Sequence, residues 1–296
     1  MSDTAFEPLI TVGLPIYNGA PYLRSAVLSI VAQTYLNWEL LLIDDGSTDS
    51  SIDSVSDIRD SRITLLRDGR NKGAAARLNE AVDLARGQFF ARMDQDDISY
   101  PTRFASQITR FRCDPQLDLL AVRAIKISNT NDFLGFFPSP ASHADICSSP
   151  WRGFYMPHPT WMGRIQWFRK YRYRIPESYF SDDQELLLRS YRDSHFACLS
   201  ETLFAYRIHD KIRWRKRFKT RWTVLKLQAA SFIGSRQYGF LLRAGVVFLL
   251  RLGSDFWMFL TRPFPGISRG QAAPMEKGPA VQQWLKVREV YWPSKV

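Results

Sequence analysis

Four short apolar runs, each closing on polar or acidic residues, govern what the first hundred residues can fold into. They are "LITVGLP" (9–15), "WELLLIDD" (38–45), "RITLLRD" (62–68) and "QFFARMD" (88–94). Helical periodicity fills two of the gaps. The segment 22–35 puts Leu23, Ala26, Val27, Ile30 and Val31 on one face, and Ala75, Leu78, Ala81, Val82 and Ala85 mark a second helix that Gly87 stops. A short helix is expected after the acidic turn "DDGSTDSS". Aliphatic runs alternating with helices predict a mostly parallel sheet covered on both faces. With 296 residues, 45% of them hydrophobic, the chain has enough apolar side chain for that core and an appendage.

Sheets of this kind bind ligands beyond the carboxyl ends of their strands, where loops converge and helix N-termini point partial positive charge. The unusual residues fall there: Pro15 to Asn18 after the first run, Asp44 and Asp45 after the second, Asn71 to Gly73 after the third, Asp94 to Asp97 after the fourth. Asp94, Asp96 and Asp97 would repel one another unless water solvates them or a cation sits among them. Hard oxygen ligands suit Mg²⁺ or Mn²⁺, which commonly share coordination with substrate phosphates. The alternatives are a solvated acidic turn here, and an Asp-Gly turn at Asp44-Asp45-Gly46.

Net charge is +11 and unevenly spread: residues 207–226 carry nine Lys or Arg against one Asp. That excess points to an anionic partner, lipid or nucleic acid. Cys113, Cys147 and Cys198 have no metal or redox spacing and are expected to be reduced. The N-terminus lacks a basic segment followed by a long apolar one, so the expected location is cytoplasmic, peripheral on the inner face of the cell membrane.

The blocks "LPIYNGAPYLRSAVLSIVAQTYLNWELLLIDDGSTDSS" and "NKGAAARLNEAVDLARGQFFARMDQDDISYPTRF" together resemble the inverting glycosyltransferases of family 2, which have a GT-A fold. The resemblance implies sugar transfer from a nucleotide diphosphate donor, UDP-linked in this reading, with Mn²⁺ or Mg²⁺ between the acidic motif and the diphosphate. It implies that Pro15 and Tyr17 line the base pocket and that Asp45, rather than Asp44, bonds the base. Lys72, Gly73 and Arg77 would lie near the base or diphosphate, although both cations can also be plain surface charges beside a helix start. Asp94 would meet the ribose or donor sugar and Asp96 the metal, with Asp97 competing for that role.

Further along, "YFSDDQELLLRSYRD" (179–193) sets Asp182 and Asp183 in the first turn of a helix with Ser181 at its cap. The resemblance makes Asp183 the catalytic base and places Asp182 beside it in the substrate site. It also brings His158 of "MPHPTWMGR" near acceptor or donor sugar, Arg207 of "YRIH" near the leaving group, and His209 to the metal. It implies a catalytic domain over 1–210, nucleotide-binding to about 110 and acceptor-binding beyond, with a saccharide as acceptor in cell-surface glycan synthesis; a lipid-linked saccharide acceptor is suggested by the basic, aromatic tail.

In residues 211–296 the resemblance weakens. Trp214, Phe218 and Trp222 recur every four residues among Lys and Arg, which suits the headgroup layer of an anionic membrane. Segment 237–266 is apolar, but Arg236, Arg243, Arg251, Asp255 and Arg262 form one stripe, which disfavours a membrane span and favours a helix lying in the interface over 211–262. Packing against the catalytic domain or a second subunit is the alternative. The competing functions are a sugar-phosphate nucleotidyltransferase, which should carry an Arg-rich loop after its first strand, and a scaffold without activity that binds membrane or nucleic acid.

Overall fold

The computed structural model describes residues 7–176, 181–209, 214–260 and 278–292. In chain order the elements are β1 (Ile10–Ile16), α1 (Ala20–Val31), β2 (Trp38–Asp44), a 3₁₀ turn (Asp53–Val55), β3 (Ile63–Arg67), α2 (Ala74–Leu84), β4 (Phe89–Arg92), β5 (Ile98–Ser99) and α3 (Arg103–Cys113). There follow β6 (Leu119–Ile127), β7 (Phe133–Phe136), α4 (His143–Cys147), β8 (Met162–Arg164), α5 (Ile165–Lys170), α6 (Asp182–Ser190), β9 (Phe196–Arg207), α7 (Trp214–Gly234), α8 (Tyr238–Leu260) and α9 (Pro279–Tyr291).

One sheet runs in the order β3-β2-β1-β4-β8-β6-β9-β5, with β7 on the edge of β6. The half that the alternating runs predict is parallel throughout, with Ile16 opposite Asp44 and Gly13 opposite Arg92. Beyond β4 the sheet is mixed: β8 is antiparallel to β4 and β6, while β9 is parallel to β6. Helices cover both faces. Leu23, Val27 and Ile30 of α1 share one core with Phe104 and Ile108 of α3 and Trp284 of α9; Leu78 and Val82 of α2 share the other with Phe168, Leu186, Leu187 and Phe232 of α5 to α7. The three thiols are free, Cys198 buried and Cys113 exposed.

The helices beyond residue 210 pack on other helices of the fold, α7 on α6, α8 on α7 and α9 on α1. Of the charged stripe, Arg262 lies outside the described residues; Asp255 of α8 is buried, Arg251 half-buried, and Arg236 and Arg243 exposed. Asp255 is 3% exposed and meets Arg217 and Arg221 of α7 at 3.5 and 2.5 Å. Arg243 lies over the Trp151 ring at 4.7 Å. Residues 211–213 of the basic segment also lie outside the described residues.

Helix α9 returns to the far end of the sheet, where Trp284 is 1% exposed, stacks on Tyr100 with centroids 6.4 Å apart, and donates Nε1 to the Asn131 carbonyl at 3.1 Å. Removing so large a buried ring leaves a cavity and an unmatched carbonyl. Trp284→Ala is expected to lower unfolding stability by about 3–5 kcal/mol, read from the urea midpoint. An unchanged midpoint would show that α9 is not docked there.

Candidate active site

The carboxyl ends of β1, β2 and β4 deliver their polar residues to one edge of the sheet. Asp45 follows β2, and its backbone N–H donates to the Ile16 carbonyl at 2.7 Å, tying the ends of β1 and β2 together. The Asp45 carboxylate accepts from the backbone of Lys72 (2.7 Å) and Gly73 (3.0 Å) and from Arg77 Nε (2.9 Å). Gly73 holds this turn with φ +89°, a region costly for a residue with a Cβ. Arg77, 1% exposed, also pairs with Asp68 (2.6 Å) and Glu80 (2.8 Å), and Lys72 Nζ pairs with Asp68 (2.6 Å). Both cations have carboxylate partners within the fold, and Arg77 serves to brace the turn. Asp44 accepts from the Ser47 backbone (3.0 Å), the Asp-Gly turn itself.

Tyr17, 48% exposed, follows Pro15 and Ile16 at the end of β1. Its backbone N–H and carbonyl are bracketed by the Gln95 amide at 2.9 and 3.0 Å, so the β4 turn fixes the β1 turn.

Asp94, Asp96 and Asp97 form one cluster, with a carboxylate oxygen of each within 4.8 Å of the others. Asp97 is 1% exposed; Oδ1 accepts from the Arg207 N–H at 2.7 Å, and among the described residues Oδ2 has no hydrogen-bond partner. Burial, then the charges of Asp96 and Asp94, push the Asp97 carboxyl well above the ordinary carboxylate range. His209 Nε2 lies 2.7 Å from Asp96 Oδ2 and its Nδ1 2.9 Å from Asn129 Oδ1; the Asp96 bond raises the imidazole. Nδ1 bonded to an amide oxygen orients Nε2 toward the acids, the arrangement that metal-binding histidines use.

These residues fit a hard divalent cation. A buried carboxylate oxygen without a donor, two further acids and an oriented imidazole nitrogen are a donor set for Mn²⁺ or Mg²⁺. Arg207, 2% exposed, frames the cluster: Nε donates to the Asp96 carbonyl (2.9 Å), Nη1 to Ser128 O (2.6 Å) and Nη2 to Asn131 Oδ1 (2.8 Å), and its guanidinium lies 4.1 Å from the Tyr22 ring centroid.

Asp94 also lines an adjoining hollow of about 420 Å³ together with Arg92, His158, Asp182, Asp183 and Tyr206. Asp182 and Asp183 open α6, where Ser181 takes the cap position without a capping bond from its side chain. Burial raises the Asp183 carboxyl above its usual range, opposed by Gln184, which donates Nε2 to Asp183 at 3.1 Å, and by Arg92. Gln184 also brackets the Phe154 backbone at 2.8 and 3.0 Å, and Gly153 (φ +91°) allows this: a Cβ there would stand 2.7 Å from Gln184 Oε1. His158 Nε2 bonds the Tyr173 hydroxyl at 2.7 Å, and burial with Arg92 nearby holds the imidazole neutral.

Thus Asp94, His158, Asp182 and Asp183 share the hollow, Asp94, Asp96 and Asp97 share the cluster, and Asp94 belongs to both. Asp45, Lys72, Gly73 and Arg77 form the separate braced turn, whose next residue, Ala74, reaches the wall of the hollow. Sequence reasoning missed Arg92. It is 6% exposed, ion-pairs obliquely with Asp94 at 2.7 Å, and its Nε has no acceptor among the described residues. Its signal was present: a lone cation inside the apolar run "QFFARM".

Residues 11–172, more than half the chain, match the family described as Glycosyl transferase family 2. The chain belongs to glycosyltransferase family 2. An uncharacterized glycosyltransferase of Haemophilus influenzae is 28% identical over 215 residues, 68% of this chain and 66% of that one. UDP-Glc:alpha-D-GlcNAc-diphosphoundecaprenol beta-1,3-glucosyltransferase WfgD of Escherichia coli is 35% identical over 132 residues, 45% of this chain and 51% of that one. The chain spans 41 to 66% of the length of three curated relatives.

Among solved structures, Staphylococcus aureus TarS 1-349 in complex with UDP-GlcNAc superposes with TM-score 0.60 at 17% identity, covering 96% of this chain and 80% of its own. The mannosyltransferase PcManGT of Pyrobaculum calidifontis, in complex with GDP-Man and Mn²⁺, superposes at 0.59 with 16% identity, covering 98% and 89%. The fold is GT-A, and the family 2 match sets aside the nucleotidyltransferase alternative.

Proposed function

We propose that the protein is a metal-dependent, inverting family 2 glycosyltransferase that moves a sugar from a UDP-linked donor to a hydroxyl of a lipid-linked saccharide during cell-surface glycan synthesis. The observation that carries this reading is the half-buried Asp183, made more basic by its surroundings, in one hollow with Asp94 of the acidic cluster. Displacement at an anomeric carbon needs a base facing the acceptor hydroxyl, and a carboxylate with raised proton affinity suits that role. Asp183 takes the acceptor proton as the new bond forms, while Gln184 fixes its orientation. Asp182 and His158 position the sugars. A divalent cation held by Asp96 with Asp94, Asp97 and His209 would supply Lewis-acid stabilisation of the departing diphosphate. Pro15, Tyr17 and Asp45, with the Lys72-Gly73 turn, receive the base and ribose, and Arg207 holds the cluster against which the diphosphate lies.

UDP and a lipid carrier are favoured by the name of the Escherichia coli relative, and UDP also by the TarS complex. The test is thermal stabilisation by a panel of UDP- and GDP-sugars with and without Mn²⁺. One UDP-sugar should shift the melting temperature only with metal, by the equivalent of about 2.7 kcal/mol at a hundredfold excess over Kd. A shift by a GDP-sugar alone would overturn the choice of nucleotide, and no shift with any donor would overturn the reading.

The reading extends to an anionic membrane surface. Among the described residues no helix is long and apolar enough to cross a membrane. Helix α8 nevertheless presents Leu242 (71% exposed), Leu249 (67%), Leu250 (69%) and Trp257 (68%) outward, while Asp255 is buried against α7 and Arg243 is exposed. Beside it, half-exposed Trp214, Phe218 and Trp222 run along α7 among Lys and Arg. An interfacial helix has this polarity. Vesicles containing phosphatidylglycerol should retain the protein, and Leu249→Asp/Trp257→Asp should release it. Equal retention of the double variant would place the contact elsewhere, and a wild-type dimer that the variant breaks would assign the face to a second copy.

A further inference from the structure

A second cavity, about 560 Å³, lies between α7 and α8, a size within the range of small-molecule sites. Trp151, Val247 and Phe248 form apolar walls, and Lys216, Arg221 and Arg251 bring cationic ones. Among the described residues, none that lines the cavity is acidic. The carboxylate of Asp255, outside the lining, already binds Arg217 and Arg221 together. The wall therefore combines hydrocarbon with an excess of positive charge, which no purely apolar or purely ionic ligand would match. An amphiphile with an anionic head matches both, because its chain leaves water against the aromatic and aliphatic walls and its phosphate meets guanidinium and ammonium donors.

The two cavities share a partition. Arg251, in the lining of the second cavity, donates Nη2 to the Arg152 carbonyl at 2.9 Å and lies 3.5 Å from the Tyr155 hydroxyl. Tyr155 lines the hollow that holds Asp183. Segment 151–158 thus presents Trp151 to one cavity and Tyr155 and His158 to the other, and one arginine bridges them. We propose that the α7–α8 cavity binds the phosphate and adjoining hydrocarbon of a long-chain alkyl or isoprenyl phosphate, so that an acceptor anchored there extends its sugar past Tyr155 to Asp183. This rests on the lipid-linked acceptor proposed above and assigns it a binding site.

The test is calorimetric titration of the full chain in EDTA, without donor, using farnesyl phosphate, farnesol and inorganic phosphate as probes. Farnesyl phosphate should bind saturably to one site, and the other two should not. Lys216→Glu, at an exposed position, should weaken it about tenfold or more, and Val247→Trp, which fills the cavity, should abolish it; Trp257→Asp, on the outer face of α8, should leave it unchanged. Equal binding of inorganic phosphate would reduce the cavity to an anion site, and equal binding of farnesol would remove the role of the cations. Unaltered binding in both cavity variants would move the ligand to the outer surface. Each of these overturns the proposal. Should Val247→Trp fail to fold, as circular dichroism would show, Lys216→Glu decides alone. Metal-dependent donor stabilisation without farnesyl phosphate binding would sink the cavity assignment and leave the transferase reading intact.

Discussion

Asp183→Asn is expected to slow sugar transfer by about 10²–10⁴-fold, the range for removing a positioned general base, while donor-induced stabilisation stays unchanged. The amide keeps the shape of the carboxylate and can still accept from Gln184, so the loss reports the proton and not the fold. Two further signs follow from the raised proton affinity of Asp183. Transfer needs the ionised form, so the acid limb of the activity profile should fall above the ordinary aspartate range of about 3.9, and rate should be lost as pH drops through the folded-state value. Stability runs the other way. A carboxyl whose folded pKa is raised favours the fold fully below its unfolded pKa and gives up that contribution as pH rises through the folded one. The neutral Asn should therefore melt higher than wild type at pH 7, and the difference should vanish in acid. A variant that keeps its transfer rate, or melts lower at pH 7 and the same in acid, would remove Asp183 from the role of base.

How far the sequence disclosed this arrangement depended on the range of the interactions involved. The parallel half was readable because each strand and its covering helix carry their own periodicity, as Leu23, Val27 and Ile30 on α1 do, and because acids closing apolar runs must lie at one sheet edge. The mixed half was not. Met162 pairs with both Ala91 and Leu120, contacts between distant segments that no local pattern encodes. The same holds for α9, whose Trp284 reaches Asn131 across 153 positions. Arg77 shows a subtler limit. Its sequence context beside Lys72 and Gly73 suggested a phosphate contact, whereas three carboxylates, Asp45, Asp68 and Glu80, converge on its guanidinium. Spacing can show that a cation lies near a strand end, but only packing shows which anion it meets. The charges of α8 were legible as a stripe, yet which of them the protein buries required Asp255 to be seen between Arg217 and Arg221.

Asp96→Ala is expected to abolish calorimetrically measured Mn²⁺ binding and to reduce transfer by roughly 10²–10⁴-fold, since metal stabilisation of a leaving group is worth several kcal/mol and each 1.36 kcal/mol is a factor of ten. The acids differ in their partners, which makes the series informative. Asp96 faces His209 Nε2, and one Asp97 oxygen is already committed to the Arg207 backbone. Asp97→Asn should therefore preserve that bond through its carbonyl oxygen and weaken Mn²⁺ less than Asp96→Ala does, and His209→Ala should weaken it by about 10–100-fold. Neither the Asp96 nor the His209 change touches a buried apolar contact, so urea midpoints should stay near wild type without metal. If Asp97→Asn abolished Mn²⁺ binding while Asp96→Ala retained it, the cation would belong to the inner acid and its unpartnered Oδ2. The His209–Asp96 contact would then be a surface ion pair, and the diphosphate would lie deeper along β4, against Arg92.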